Sequence, residues 1–531
     1  MERIERTPLH ELARQRWDVL VIGGGITGAG IFREAASLGL HTLLVEAHDF
    51  ASGTSSHSGK LIHGGLHYLS RFQMRLARES VRERDVLLRE DPGLVEPLDF
   101  ILPVAAGDWK HSCVHTVGLG LYHVMGGRPP ATQHVERQAL EQIAPGLHDH
   151  YRTALRYREG QTDDARLTLR VIAAGRSDRG VARNYTRVCG LVRDRHGQVS
   201  GAELHDVLTG DVVALAARHV VNATGPWSDG VRSGLGRSPR QRIVGGSHLV
   251  FPHHRLPVTN GVVAYHGESG LPLYIVPWQG VTLVGTTHRD LGEEARWPCL
   301  ATDEEVVYLL DGVRLLFPGL DLDTCDIQAT YAGYRPIIDT RTTDPARASR
   351  DYGVWLEDGL ITVTGGKLTT HRSVARQVIR MISGRNPHWN GVRPAKPARC
   401  MHASGETNAE LSGSERRRLA GQYGPEAVRS ILAMSDAGRH LEPALPRTTL
   451  AEIRWSARTE SVEHLDDLLS RRLRLALLLP RGGQEHLGSI EPIVRQELGW
   501  DTTRWQQEVE RYLAGWAKQY AVPTHAVSGA N

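Results

Sequence analysis

The stretch Trp17-Asp-Val-Leu-Val-Ile-Gly-Gly-Gly-Ile-Thr-Gly-Ala-Gly-Ile-Phe-Arg-Glu-Ala-Ala-Ser-Leu-Gly-Leu-His-Thr-Leu-Leu-Val-Glu46 decides the fold. Val19 to Ile22 form a short apolar run that reads as a buried parallel strand, and from Ile26 to Leu38 apolar and small residues recur at helical spacing. Gly23, Gly25 and Gly28 lie between them. The first makes a tight turn, the second lets the backbone approach a pyrophosphate, and the third lets helix and strand pack closely. The helix then aims unpaired N–H groups and its positive dipole end at the anion. His41 to Val45 read as the next strand, and Glu46 ends it where an acid can hold both hydroxyls of an adenosine ribose. The segment predicts a dinucleotide site without choosing between FAD and NAD.

The chain has 531 residues, enough for two to four domains. Its 63 basic and 60 acidic residues give a net charge of +3, so no global field recruits nucleic acid. A mean hydropathy of −0.31 fits a chain that buries large cores without spanning a membrane. Cys113, Cys189, Cys299, Cys325 and Cys400 show neither metal-ligand nor redox spacing, and are expected to be reduced, mostly buried thiols of a cytoplasmic protein. Met1 to Arg16 alternate charges without an apolar core, so they do not read as a signal sequence.

Downstream, His48 to Leu69 is dense in glycine and hydroxyl groups. Thr54, Ser55 and Ser56 suit a second cradle for a pyrophosphate, while Gly64 and Gly65 allow the chain to run flat beneath a ring system. Residues 70 to 90 read as an amphipathic charged helix, and Asp163 begins another with acids in its first turn. Three strands then lead to Val220-Val-Asn-Ala-Thr-Gly-Pro-Trp227, a second passage of a nucleotide-binding sheet, which includes Gly225. Residues 240 to 335 carry β-branched runs split by Pro and Gly, an antiparallel region suited to capping a substrate. Gly359 to Ala375 repeat the opening logic of strand, paired glycines and helix; a helix start there suits a developing flavin anion, and two such turns around one ligand favour FAD. Beyond about 390 a Pro-rich basic stretch precedes helical sequence, with Thr449-Leu-Ala-Glu452 as a capping box.

Ser55-Ser-His-Ser-Gly-Lys-Leu-Ile-His-Gly-Gly-Leu-His-Tyr-Leu69, Asn222-Ala-Thr-Gly-Pro-Trp227, Gly246-Ser-His-Leu-Val250, Gly285-Thr-Thr287, Gly333-Tyr-Arg-Pro336, Ser349-Arg-Asp-Tyr352 and Gly365-Gly-Lys-Leu-Thr-Thr370 follow in order. Together with the opening fingerprint they resemble the FAD-dependent, quinone-linked glycerol-3-phosphate dehydrogenase family over nearly the whole chain. The resemblance implies an α/β fold: a Rossmann-type FAD-binding domain, an antiparallel β substrate-cap domain and a C-terminal helical domain. In these terms residues 1–390 form the oxidoreductase region, with FAD-binding pieces near 15–105, 160–235 and 335–385 and cap pieces near 106–159 and 236–334. Residues 391–403 read as a linker and 404–531 as the helical domain.

It also implies oxidation of sn-glycerol 3-phosphate to dihydroxyacetone phosphate, by hydride transfer from C2 to flavin N5, with electrons passed to a membrane quinone. His63, Arg335 and Lys367 are the implied catalytic groups; His67, Tyr68, Arg335, Arg350 and Lys367 the substrate-binding ones. Gly23, Gly25, Gly28, Glu46, Thr54, Ser55, Ser56, Gly64, Gly65, Gly225, Gly366, Lys367 and Leu368 would hold FAD, and no metal is implied. The types make chemical sense: guanidinium forks suit a phosphate dianion, Lys367 adds a compact charge, and a histidine titrates near neutrality, as a base for the 2-hydroxyl should. The family's usual Arg, Thr and Lys are replaced by His67, Gly59 and Gly245, which weakens the permanent charge available to a phosphate.

A quinone acceptor implies a cytoplasmic protein in peripheral contact with the inner leaflet of the membrane. The helix near Arg71 to Arg89 and the cluster Arg471, Arg472, Arg474 beside Leu475 to Leu479 are the surfaces the sequence offers for it. A homodimer is left open. Two other functions compete: an oxidase of the same flavoprotein group that returns electrons to oxygen, acting on this or another small hydroxy or amino substrate, and a flavin-containing protein without catalysis.

Overall fold

The computed structural model describes residues 4, 6–66, 73–105, 107, 109–126, 133–266, 271–292, 297–339, 351–384, 411–442 and 448–523. The opening stretch folds as its pattern dictates, with strand Trp17–Ile22, helix Ile26–Ser37 and strand Thr42–Val45. The first strand pairs in parallel with Thr42–Val45 on one side and with the end of Val212–Asn222 on the other. Val212–Asn222 pairs in parallel with Leu360–Thr364, and Thr42–Val45 with Val181–Arg183. The sheet order is therefore 353–357, 360–364, 212–222, 17–22, 42–45, 181–183. Its strands Trp17–Ile22, Thr42–Val45 and Leu360–Thr364 are covered on both faces, and for that reason they read as nearly unbroken apolar runs.

Helices Ile26–Ser37, Asp164–Ser177 and His371–Ser383 pack on one face of this sheet, sharing a core with Phe32, Ile172, Val374 and Val378. Asp163 caps the middle helix through the backbone N–H of Arg166. The other face is covered by the strands Thr186–Arg193 and Val199–Asp206 and by Leu9 and Leu12.

A second, mostly antiparallel sheet runs 289–290, 241–252, 281–285, 272–278, 261–265, 95–105, 151–162, 61–62, with 329–338 alongside 241–252 and 133–136 alongside 151–162. Strand Val95–Ala105 thus lies in the second sheet, inside the segment near 15–105 that the sequence assigns to FAD binding. The long register of Val95–Ala105 against Tyr151–Thr162 holds it there; the polar-to-apolar switch at Phe100 hides its first half from a hydrophobicity reading. The helical unit follows, with a capping box at Thr449 and Glu452 and a core of Leu465, Leu468, Leu469, Trp505 and Tyr512.

Two expectations fail on burial. Arg471, Arg472 and Arg474 do not form a surface patch: they are 8%, 1% and 2% exposed, and Leu475 to Leu479 are buried with them. Arg471 and Arg472 both bind the carboxylate of Asp49, and Arg474 binds Asp163 and Asp164, so the cluster locks the helical unit onto the nucleotide-binding sheet. Arginine next to leucine describes such an internal joint as well as it describes a membrane face. The cysteines also differ: Cys113, Cys189 and Cys325 are exposed and only Cys299 is buried, among the described ones.

Candidate active site

The two sheets enclose a cavity of about 670 Å³, within the size range of cofactor sites. Gly23, Gly25, Glu46, Thr54, Ser55, His63, Gly225, Arg335, Gly366, Lys367 and Leu368 all line it. Residues separated by more than 300 positions in sequence therefore meet at one surface.

The nucleotide end carries marks of a ligand cradle. Gly23 has φ +111°, and a Cβ there would stand 2.6 Å from the carbonyl oxygen of Ala223. A Cβ on Gly28 would lie 1.9 Å from the Gly23 carbonyl oxygen, so this glycine works behind the wall, seating the helix on the strand. Gly25 itself brings no side chain to cap the helix, and the first-turn N–H groups beyond Ile26 face a site that suits a diphosphate. Ser55 Oγ accepts from Ile26 N at 2.9 Å, drawing the Thr54–Ser56 turn against that helix start. Glu46 accepts from the Gly24 and His48 backbones at 2.6 and 2.9 Å. Burial raises its pKa, and these N–H groups oppose the rise.

The other end is cationic. Arg335, on strand Ala329–Ile338, donates through Nη2 to Thr286 Oγ1 at 2.6 Å and meets His288 Nε2 at 3.3 Å. It runs across Gly246, where a Cβ would stand 2.4 Å from Nη2, so that glycine makes room for the guanidinium. Lys367 follows Gly365 and Gly366, both at positive φ, and donates to Ser80 Oγ at 2.7 Å. His63 is tied at its backbone: its N–H donates to Thr369 Oγ1, which donates back to its carbonyl.

Several expected positions sit elsewhere. Ser56 turns away from the cavity, with Oγ 3.0 Å from His57 Nδ1. Gly64 and Gly65 do not line it: a Cβ on Gly64 would meet the Tyr122 hydroxyl at 2.1 Å, so its lack of a side chain serves packing against helix Trp109–Met125. His67, Tyr68 and Arg350 lie outside the described residues.

Sequence reading missed His57 and His248 as cavity-lining groups. His248 stacks on Tyr331 at 4.6 Å with the rings 4° apart, and its Nδ1 has no hydrogen-bond partner among the described residues. Burial drives its pKa well down, helped by Arg335 and Lys60. Lys60 lies behind the cavity, fully buried, donating to Ser56 O and Asp164 Oδ2 at 2.8 Å each. Burial pulls its pKa down to about 8 against the pull of Asp164. Both histidines lie inside motifs the sequence displays, but nothing in spacing separates a lining histidine from a neighbouring one.

Fold and site define a two-sheet, dinucleotide-binding oxidoreductase, and comparison with known proteins agrees. Residues 18–381 match the FAD dependent oxidoreductase family model, and 374–505 match the C-terminal domain of alpha-glycerophosphate oxidase. Curated relatives include the aerobic glycerol-3-phosphate dehydrogenases of Staphylococcus epidermidis and Staphylococcus aureus. Each is 31% identical over 489 residues, covering 86% and 87% of both chains respectively. Among solved structures, the Bacillus halodurans glycerol-3-phosphate dehydrogenase complexed with FAD aligns with TM-score 0.75 and 25% identity over 96% of both chains. The L-alpha-glycerophosphate oxidase of Mycoplasma pneumoniae, at 17% identity and TM-score 0.55 over 70% of this chain and 95% of its own, shares the fold. The chain belongs to the FAD-dependent oxidoreductases and, within them, to the aerobic glycerol-3-phosphate dehydrogenase family.

Proposed function

We propose that this chain oxidises sn-glycerol 3-phosphate to dihydroxyacetone phosphate and delivers the electrons to a membrane quinone. The supporting observation is that His63, Arg335 and Lys367 line the same cavity as the glycine cradle and Glu46. FAD, when bound, supplies the acceptor for the hydride leaving C2. Gly23, Gly25, Glu46, Ser55, Gly225 and Gly366 would hold it, with the helix start at Gly25 offering its remaining N–H groups to a diphosphate.

The remaining steps belong to the side chains. Arg335 offers a fork to the phosphate dianion, already oriented by Thr286 and His288. Lys367, held by Ser80, supplies positive charge beside the reacting carbon's hydroxyl. His63 takes the 2-hydroxyl proton on its imidazole as the hydride departs. Tyr68, Arg350 and His67 complete the proposed substrate contacts.

Peripheral membrane contact falls, in this reading, on helix Trp109–Met125 and its neighbour Met74–Glu90. Val117, Leu121 and Val124 are 73%, 42% and 55% exposed, beside a groove lined by Arg75, Arg78, Arg82, Arg376 and Arg380. Apolar side chains flanked by arginine suit an anionic leaflet. Among the described residues no helix is long and apolar enough to cross a membrane.

An oxidase reading draws support from the match of residues 374–505 to a glycerophosphate oxidase domain. Stopped-flow reduction of the flavin under anaerobic conditions, followed by reoxidation with oxygen or a quinone analogue, separates the two. Rapid bleaching by glycerol 3-phosphate and faster reoxidation by quinone is the expected result. Bleaching by no hydroxy phosphate would sink the proposal, and stoichiometric peroxide with no response to quinone would install the oxidase.

A further inference from the structure

We propose that Tyr520, at the end of the C-terminal helical unit, is a positioning residue that fixes the His57 ring in the wall of the cofactor cavity, making that unit part of the redox site. His57 lines the cavity and is 8% exposed. Its Nδ1 lies 2.9 Å from Gly53 O, an acceptor only, so Nδ1 carries the proton and donates there. Nε2 is then an acceptor, and the Tyr520 hydroxyl stands 3.4 Å from it with the two rings stacked 10° from parallel. The ring is thus held by Gly53 at one nitrogen and by Tyr520 at the other. Burial, reinforced by Lys60 and Arg474, holds its pKa near 4, so it is a neutral dipole of fixed direction at neutral pH.

The grip extends to the substrate end. A Cβ on Gly333 would stand 2.8 Å from His57 O and 2.9 Å from its Cβ, so His57 presses directly on the strand that carries Arg335. The next residue of that strand, Tyr334, accepts from Thr54 Oγ1 at 2.7 Å. The start of the strand is tied to the same terminal segment: Thr330 N donates to Tyr520 O at 2.7 Å, and its hydroxyl to Ala521 O at 3.1 Å. Arg474, from the same unit, donates to Ser56 O at 2.9 Å, one residue before His57. A tail used only for docking would need no hydroxyl at this spot; a phenylalanine would stack equally well.

The proposal rests on the cavity being the FAD site and not on the identity of the substrate. The test compares holoenzymes of Tyr520→Phe, His57→Asn and the double variant. Tyr520→Phe is expected to lower the rate of flavin reduction at saturating substrate about two- to tenfold, the worth of one hydrogen bond, with KM and melting temperature unchanged. It is also expected to move the flavin's visible absorption band. Because Tyr520 acts through His57, the double variant should be no slower than His57→Asn alone. If no tested substrate reduces the flavin, the activity reading fails separately, and the absorption band and a dithionite-titrated midpoint potential carry the same comparison. Wild-type rate and spectrum in Tyr520→Phe, or losses that multiply in the double variant, would overturn the assignment.

Discussion

Lys367 Nζ donates to Ser80 Oγ at 2.7 Å, joining the glycine turn before helix His371–Ser383 to the inner face of helix Met74–Glu90. One helix therefore orients a cavity cation from its buried side while carrying Arg75, Arg78 and Arg82 outward. Ser80→Ala removes this acceptor and loosens the placement of the ammonium. We expect kcat/KM for glycerol 3-phosphate to fall about three- to tenfold with FAD content unchanged, read by steady-state kinetics with a quinone analogue.

Arg335→Lys keeps the charge but loses the fork that Thr286 and His288 orient. The expected outcome is a kcat/KM lowered about a hundredfold, mostly through KM, since bidentate phosphate binding is worth about 2 to 3 kcal/mol. Initial rates across a substrate series measure it. An unchanged KM would remove Arg335 from the phosphate site.

Gly28→Ala places a methyl group 1.9 Å from the Gly23 carbonyl oxygen. The helix must move off the strand, and the cradle moves with it. Purified variant is expected to lose most of its bound flavin, read as the ratio of visible to ultraviolet absorbance.

Acid should destabilise the fold in a defined window. His57 and His371 are buried and neutral, with pKa values pushed down to about 4 and about 3 by desolvation. The unfolded chain takes up their protons from about 6.5 downward while the folded chain does not, so stability falls as pH drops from 6.5 toward 4. Urea titrations at pH 7 and pH 5 should show this, and His371→Asn should flatten part of the slope.

Arg75→Glu, Arg78→Glu and Arg82→Glu together reverse the basic side of the groove beside Val117 and Val124. Co-sedimentation with vesicles containing an anionic lipid should drop severalfold, with flavin reduction by soluble substrate unaffected. Equal sedimentation of both proteins would reject this surface.

How much was legible in the sequence follows from how local each signal is. The strand, glycine triplet, helix and acid from Trp17 to Glu46 act within 30 consecutive residues, so their spacing alone states the geometry that Gly23, Gly25 and Glu46 adopt. The antiparallel strands between Gln241 and Gly285 were equally plain, because β-branched runs between Pro and Gly carry their own punctuation. Arg335 and Lys367 could be named from their motifs, but their meeting in one cavity could not be.

Burial and long-range pairing were decided only in three dimensions. The Arg471 to Arg474 run looks the same in sequence whether it faces lipid or a carboxylate; Asp49, more than 400 positions away, settles it. Likewise, nothing near His57 announces Tyr520, which reaches it only because the C-terminal helices fold back onto the start of strand Ala329–Ile338. Periodicity and glycine spacing report the chain's own backbone, whereas the surroundings of a charged or titratable side chain are set by whatever distant segment packs against it.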